Sequence, residues 1–93
     1  MNRELLKAKG EKVAECDFRN NGIYAGTETL YLYEGKLYKV IDYDNQLNYN
    51  GENTTIMVSA NPKEELYSLF NGYEIHYESY RQLCERFGED PEM

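Results

Sequence analysis

The most ligand-like spacing in this 93-residue chain is Asp42-Tyr43-Asp44-Asn45-Gln46. Oxygen-bearing side chains at the first, third and fifth positions resemble the opening of a calcium loop. Such a loop also needs Gly at its sixth position and a bidentate Glu at its twelfth. Those places hold Leu47 and Asn53. Without the closing carboxylate the strongest ligand is missing, so the stretch reads as a solvated loop.

Soft ligands are scarce. Cys16, Cys84 and His76 are the only Cys and His residues, and a structural zinc site takes four ligands. A Cys84/His76 nucleophilic pair on one helix would be separated by eight residues, a rise of about 12 Å, which prevents contact. His76 therefore reads as an ordinary surface or interface residue. Seventeen acidic residues always allow a hydrolytic carboxylate pair, but no pattern selects one. The chain has no Gly-rich phosphate loop, no G-x-S-x-G and no H-E-x-x-H. The expectation is a non-enzymatic protein with no catalytic residues, no metal and no cofactor.

The elements that would position any site are legible. Residues 2–9 read as a short helix stopped by Gly10. Residues 12–18 alternate as a strand, with Ala14, Cys16 and Phe18 on one face and Val13, Glu15 and Asp17 on the other. Asn20-Asn21-Gly22 is a turn. Residues 28–44 form a hairpin about Glu34-Gly35, pairing Leu32 with Leu37 and Tyr31 with Tyr38. Leu30, Leu32, Leu37 and Ile41 then share the core face. Tyr31, Tyr33, Tyr38 and Val40 share the other, as a half-exposed aromatic stripe.

Residues 44–53 are a polar loop, and 54–60 a strand with Ile56, Val58 and Ala60 inward. Asn61-Pro62-Lys63-Glu64 starts a helix, with Asn61 as cap and Pro62 at the first position. Leu66, Leu69 and Phe70 are its buried face, and Gly72 ends it. A last helix spans 76–87, with Tyr73, Tyr77, Tyr80, Cys84 and Phe87 at core spacing and Gly88 closing. Residues 89–93 are an acidic, mobile tail. The fold class is α+β: a short N-terminal helix, about four mostly antiparallel strands, and two C-terminal helices packed on one sheet face, in a single domain over 1–93.

Composition points to a kind of partner. Ten residues are Tyr, none is Trp, and the net charge is −7. Residues 1–40 carry seven basic and six acidic side chains; residues 41–93 carry three and eleven. The acidic half should repel phosphate backbones and attract basic surfaces. No apolar run approaches the ~20 residues of a membrane span, and the charged N-terminus lacks a signal sequence's apolar core. A cytoplasmic location is therefore expected. The Asn53-Thr54-Thr55 sequon has no meaning there, and both cysteines should be small buried hydrophobes.

The functional expectation is a small acidic protein-binding domain docking on a basic protein surface. An inhibitor or nucleic-acid mimic of the sort carried by phages and mobile elements is its specific form. Its contact residues would be Tyr31, Tyr33, Tyr38, Asp42, Asp44, Glu64 and Glu65, with Glu52, Glu74 and Glu78 extending one negative face. The alternative is a nucleic-acid or small-ligand module that stacks bases on Tyr31, Tyr33 and Tyr38, with Lys12, Arg19, Lys36 and Lys39 on phosphate. The excess acid disfavours nucleic acid. Homodimerisation through the Tyr face is compatible with either. Both features also have plainer readings: Tyr is a good strand former, and net acidity keeps a domain soluble.

Overall fold

The computed structural model describes residues 2–44 and 54–91. The order is α1 (Arg3–Lys9), β1 (Glu11–Asn20), β2 (Ile23–Tyr33), β3 (Lys36–Tyr43), β4 (Thr54–Val58), α2 (Pro62–Asn71) and α3 (Tyr77–Arg86). The four strands form one antiparallel sheet in sequence order. This is the expected α+β architecture. Glu52 and most of the 44–53 loop and calcium-like stretch lie outside the described residues, as do the last two residues of the tail.

Turn chemistry sets the register. Glu34 and Gly35 both have positive φ, 49° and 75°. That is the type I′ geometry whose twist suits a two-residue hairpin. It places Leu32 opposite Leu37 and Tyr31 opposite Tyr38, as the sequence predicts. Gly26 permits close strand approach: a Cβ there would lie 2.1 Å from the Asp42 carbonyl oxygen. It faces Phe18 on one side and Tyr43 on the other, and their rings meet edge to face at 5.6 Å. The two aromatics thus flank the missing side chain.

One face of the sheet carries α2 and α3. Ala14, Leu30 and Leu37 pack there against Leu66, Leu69, Tyr80, Leu83 and Cys84. Val13 joins this core rather than the opposite face. The register shifts between Lys12 and Ala14, so the alternation expected for β1 breaks at Val13. Val58 and Ala60 also depart from expectation. β4 ends at Val58, which is 53% exposed, and Ala60 is exposed beyond it. Ile56 alone of that set packs inward, against the other side of the sheet.

That other side holds a second, smaller core. Leu6 of α1 lies on Tyr38 and Val40, with Tyr31, Tyr33 and Ile56 around them. The stripe expected to be half exposed is therefore covered in its middle: Tyr38 is 7% exposed, while Tyr31 and Tyr33 stay half-buried. The reason is the short N-terminal helix. Asn2 caps it by accepting from the Leu5 amide at 2.8 Å, and Leu6 is its single buried residue.

Candidate functional site

The expected contact residues divide between the two faces. Tyr31, Tyr33, Tyr38 and Asp42 lie on the α1 side. Asp42 accepts from the Thr54 hydroxyl at 2.9 Å and sits 3.4 Å from the Arg3 guanidinium. Asp44 follows β3, where its amide donates to the Ala25 carbonyl at 2.9 Å. Glu64 and Glu65 belong to the first turn of α2, on the opposite side. Glu64 completes the cap: its amide donates to Asn61 Oδ1 at 3.2 Å, and the Asn61 amide group donates back to its carboxylate at 3.3 Å. One continuous acidic face through Asp42 and Glu65 is not what the sheet builds, because a four-stranded sheet stands between them.

Glu65 is committed to an internal ion pair. Lys39 Nζ lies 2.6 Å from Glu65 and 3.6 Å from Glu28, with all three side chains mostly buried. Burial alone would pull the Lys39 pKa down, but the Glu65 and Glu28 carboxylates outweigh it and raise it. Lys39 is thus on the far side of the sheet from the tyrosines, since it pairs with Leu30 in the register. Lys12 pairs with Glu15, and Arg19 with Asp17. Lys36, opposite Tyr33, has no ion pair among the described residues. A base-stacking surface also needs bare rings, and here Tyr38 is buried while Tyr31 and Tyr33 are half-buried.

Replacing Lys39 by Met leaves two carboxylates facing each other. For a partly exposed triad the expected loss is about 1–2 kcal/mol, below the ~3–5 of a fully buried pair. Urea denaturation should show a lower midpoint at unchanged slope. Because the folded pKa lies above the ordinary lysine value, this stabilisation is complete below it and fades as alkaline pH rises through the folded pKa. An unchanged midpoint would show that the triad contributes nothing.

Neither cysteine lies in surroundings that favour its thiolate. Cys16 donates weakly to Glu28 across 3.6 Å, and burial, then the Glu28 charge, pushes its pKa up to about 11. Cys84 is fully buried, and burial raises its pKa as well. Iodoacetamide at pH 8 should alkylate native Cys16 roughly two orders of magnitude more slowly than a free thiol, judged by mass spectrometry. Prompt alkylation would contradict this geometry.

Exposed Tyr beside acid does occur, at the α2–α3 turn. Tyr77 is anchored on its inner side: its ring meets Phe70 at 5.5 Å, and Phe70 stacks on buried Tyr80 at 5.5 Å. Tyr77 remains 46% exposed and Tyr73 is 96% exposed. Both were expected at core spacing, but Tyr73 lies in the turn before α3 begins, so helical spacing does not apply to it. Glu74, His76 and Glu78 are exposed around them. Glu78 pairs with Arg81. Among the described residues no cation pairs with Glu74.

The backbone under Tyr73 is unusual. Both C-terminal helices end in the same two-bond cap. In α3, Gly88 donates to the Glu85 carbonyl at 3.0 Å and Glu89 to the Cys84 carbonyl at 2.9 Å, with Gly88 at φ 72°. In α2, Tyr73 donates to Phe70 at 3.1 Å and Glu74 to Leu69 at 2.8 Å, with Tyr73 at φ 63°. The left-handed position of this cap favours Gly. Gly72, expected to end the helix, stands one residue early at φ −89°. A tyrosine holds the strained place instead, with its ring in solvent. Nothing in the sequence signals this, because Gly72 directly follows the last helical residue, where a helix-ending glycine is expected.

No protein family, curated protein or solved structure matches the chain. Among the described residues no helix is long and apolar enough to cross a membrane, and no group of three or more His, Cys, Asp or Glu side chains could hold a metal ion.

Proposed function

We propose that this chain is a small acidic protein-binding domain that docks on a basic protein surface through the α2–α3 turn. The observation that carries this reading is Tyr73: a solvent-exposed ring on a left-handed backbone, where the other C-terminal helix uses Gly88. Strain of this kind persists where the surrounding structure enforces it, and it concentrates at functional positions. Tyr73 and Tyr77 offer stiff rings with hydrogen-bonding tips, suited to protein contacts and to the face of an Arg or Lys. Glu74 and Glu78 supply the charge that draws a basic partner.

The test is affinity capture from lysate of the source cell at low and high salt. Wild type is compared with Tyr73→Ala and Glu74→Lys, and the retained proteins are identified by mass spectrometry. A basic protein released by salt and lost in both variants is the expected result. The same proteins held equally by wild type and variants would refute the turn as the contact. Retained RNA or DNA would return the choice to the stacking sheet.

A further inference from the structure

The α1 side of the sheet contains a polar groove of about 580 Å³, between α1 and strands β1 to β3. Its rim carries Arg3, Lys7 and Lys12 against Glu15 and Asp42, a local charge of +1 on a chain of −7. Lys12 is bound to Glu15 at 2.7 Å. Arg3 Nε lies 3.4 Å from Asp42, and the Arg3 guanidinium donates no hydrogen bond among the described residues. Lys7 has no ion pair among them.

The floor points the same way. Thr29 lines the groove and is 6% exposed, the one buried polar residue of the described chain. Its hydroxyl makes no hydrogen bond among the described residues. A buried hydroxyl without a partner costs about 1–3 kcal/mol, so it is normally satisfied. Thr27 and the Tyr31 phenol line the same wall. Two cations with donors to spare thus stand over hydroxyls, in a volume suited to a small molecule.

We infer that the groove binds a small hydroxylated oxyanion, a carboxylate or a phosphomonoester. Its anionic end would lie on Lys7 and the free edge of Arg3, and its hydroxyls on Thr29 and Asp42. The planar guanidinium and flexible ammonium both donate charge-assisted hydrogen bonds to an oxyanion, which are shorter and stronger than those to a neutral hydroxyl. This site is independent of the α2–α3 turn, which lies on the other face of the sheet.

Amide chemical shifts of the full ¹⁵N-labelled chain test it at low salt, titrated separately to about 10 mM, where a millimolar Kd saturates the site. The probes are ribose 5-phosphate, gluconate and neutral ribose. Saturable shifts at Lys7, Thr27, Thr29 and Tyr31 are expected with one of the two oxyanions and not with ribose. Ribose 5-phosphate acting alone identifies a phosphate site; gluconate alone identifies a carboxylate site. Lys7→Gln should weaken that binding at least about fivefold, since it removes a charged donor. Thr29→Val should also weaken it while leaving thermal stability equal or higher, because an unpartnered buried hydroxyl is replaced by a methyl of similar shape. A purely structural Thr29 would instead lose stability and leave binding intact. No saturable shift with either oxyanion overturns the proposal. So do shifts spread equally over Lys9 and Lys36 and indifferent to Lys7→Gln, the mark of nonspecific ion pairing.

Discussion

Tyr73→Gly should make this protein more stable and a poorer binder at the same time. A non-glycine residue in the left-handed region carries a penalty of about 1–2 kcal/mol, which glycine removes. Glycine also loosens the unfolded chain, which takes back about 0.5–1 kcal/mol. The net gain is about 0.5–1 kcal/mol, a rise in Tm of roughly 2–5 °C for a domain of this size. The exposed ring contributes almost nothing to the core, so little opposes this gain. Tyr73→Ala separates the two effects. It keeps the strained backbone, leaves stability within about 0.5 kcal/mol, and removes the ring. Loss of a central Tyr contact costs about 1–2 kcal/mol of binding, or roughly 5- to 30-fold in Kd. Both variants should therefore bind alike and weakly, while only the glycine variant melts higher. If Tyr73→Gly binds its captured partner as wild type does, the ring is not the contact. If it melts lower, the left-handed tyrosine is not strained.

Leu6→Ala should be the most damaging single truncation outside the main core. Leu6 is fully buried, and it is the only side chain by which α1 reaches the core beneath it. A buried Leu→Ala change costs about 2–4 kcal/mol, a large share of the ~5–15 kcal/mol that holds a domain together. The helix has seven residues, too few to persist without its docking contact. Its release would bare Tyr38 and Val40 and carry away Arg3 and Lys7. The expected observations are a lower denaturation midpoint, stronger quenching of tyrosine fluorescence by iodide, and loss of oxyanion-dependent shifts in the groove. A cost below about 1 kcal/mol with unchanged quenching would mean that α1 does not cover the tyrosines.

These two residues show how far sequence reading reaches. Hairpin register was legible in Glu34-Gly35 because a type I′ turn fixes pairing through local backbone geometry. The helix start at Asn61-Pro62 was legible because cap and proline act over three or four residues. The partition of Leu30, Leu32, Leu37 and Ile41 from Tyr31, Tyr33 and Tyr38 followed from the two-residue period of a strand. Val13 was misplaced because a bulge leaves no mark in the alternation that precedes it.

The proposed contact turn was not legible, for a different reason. Periodicity tells which side chains share a face but not which distant element covers that face. Leu6 lies about thirty positions before Tyr38 in the chain, and its arrival turns a presumed binding stripe into a second core. Asp42 and Glu65 look alike as acids in one half of the chain, yet the sheet sets them on opposite sides and each meets its own cation. Sequence by itself determined the order of elements, the register of the hairpin and the excess of acid, because these depend on local geometry and on composition. Only the tertiary structure decided that Tyr38 is interior and Tyr73 solvent-exposed, because burial depends on contacts between residues that the chain keeps far apart.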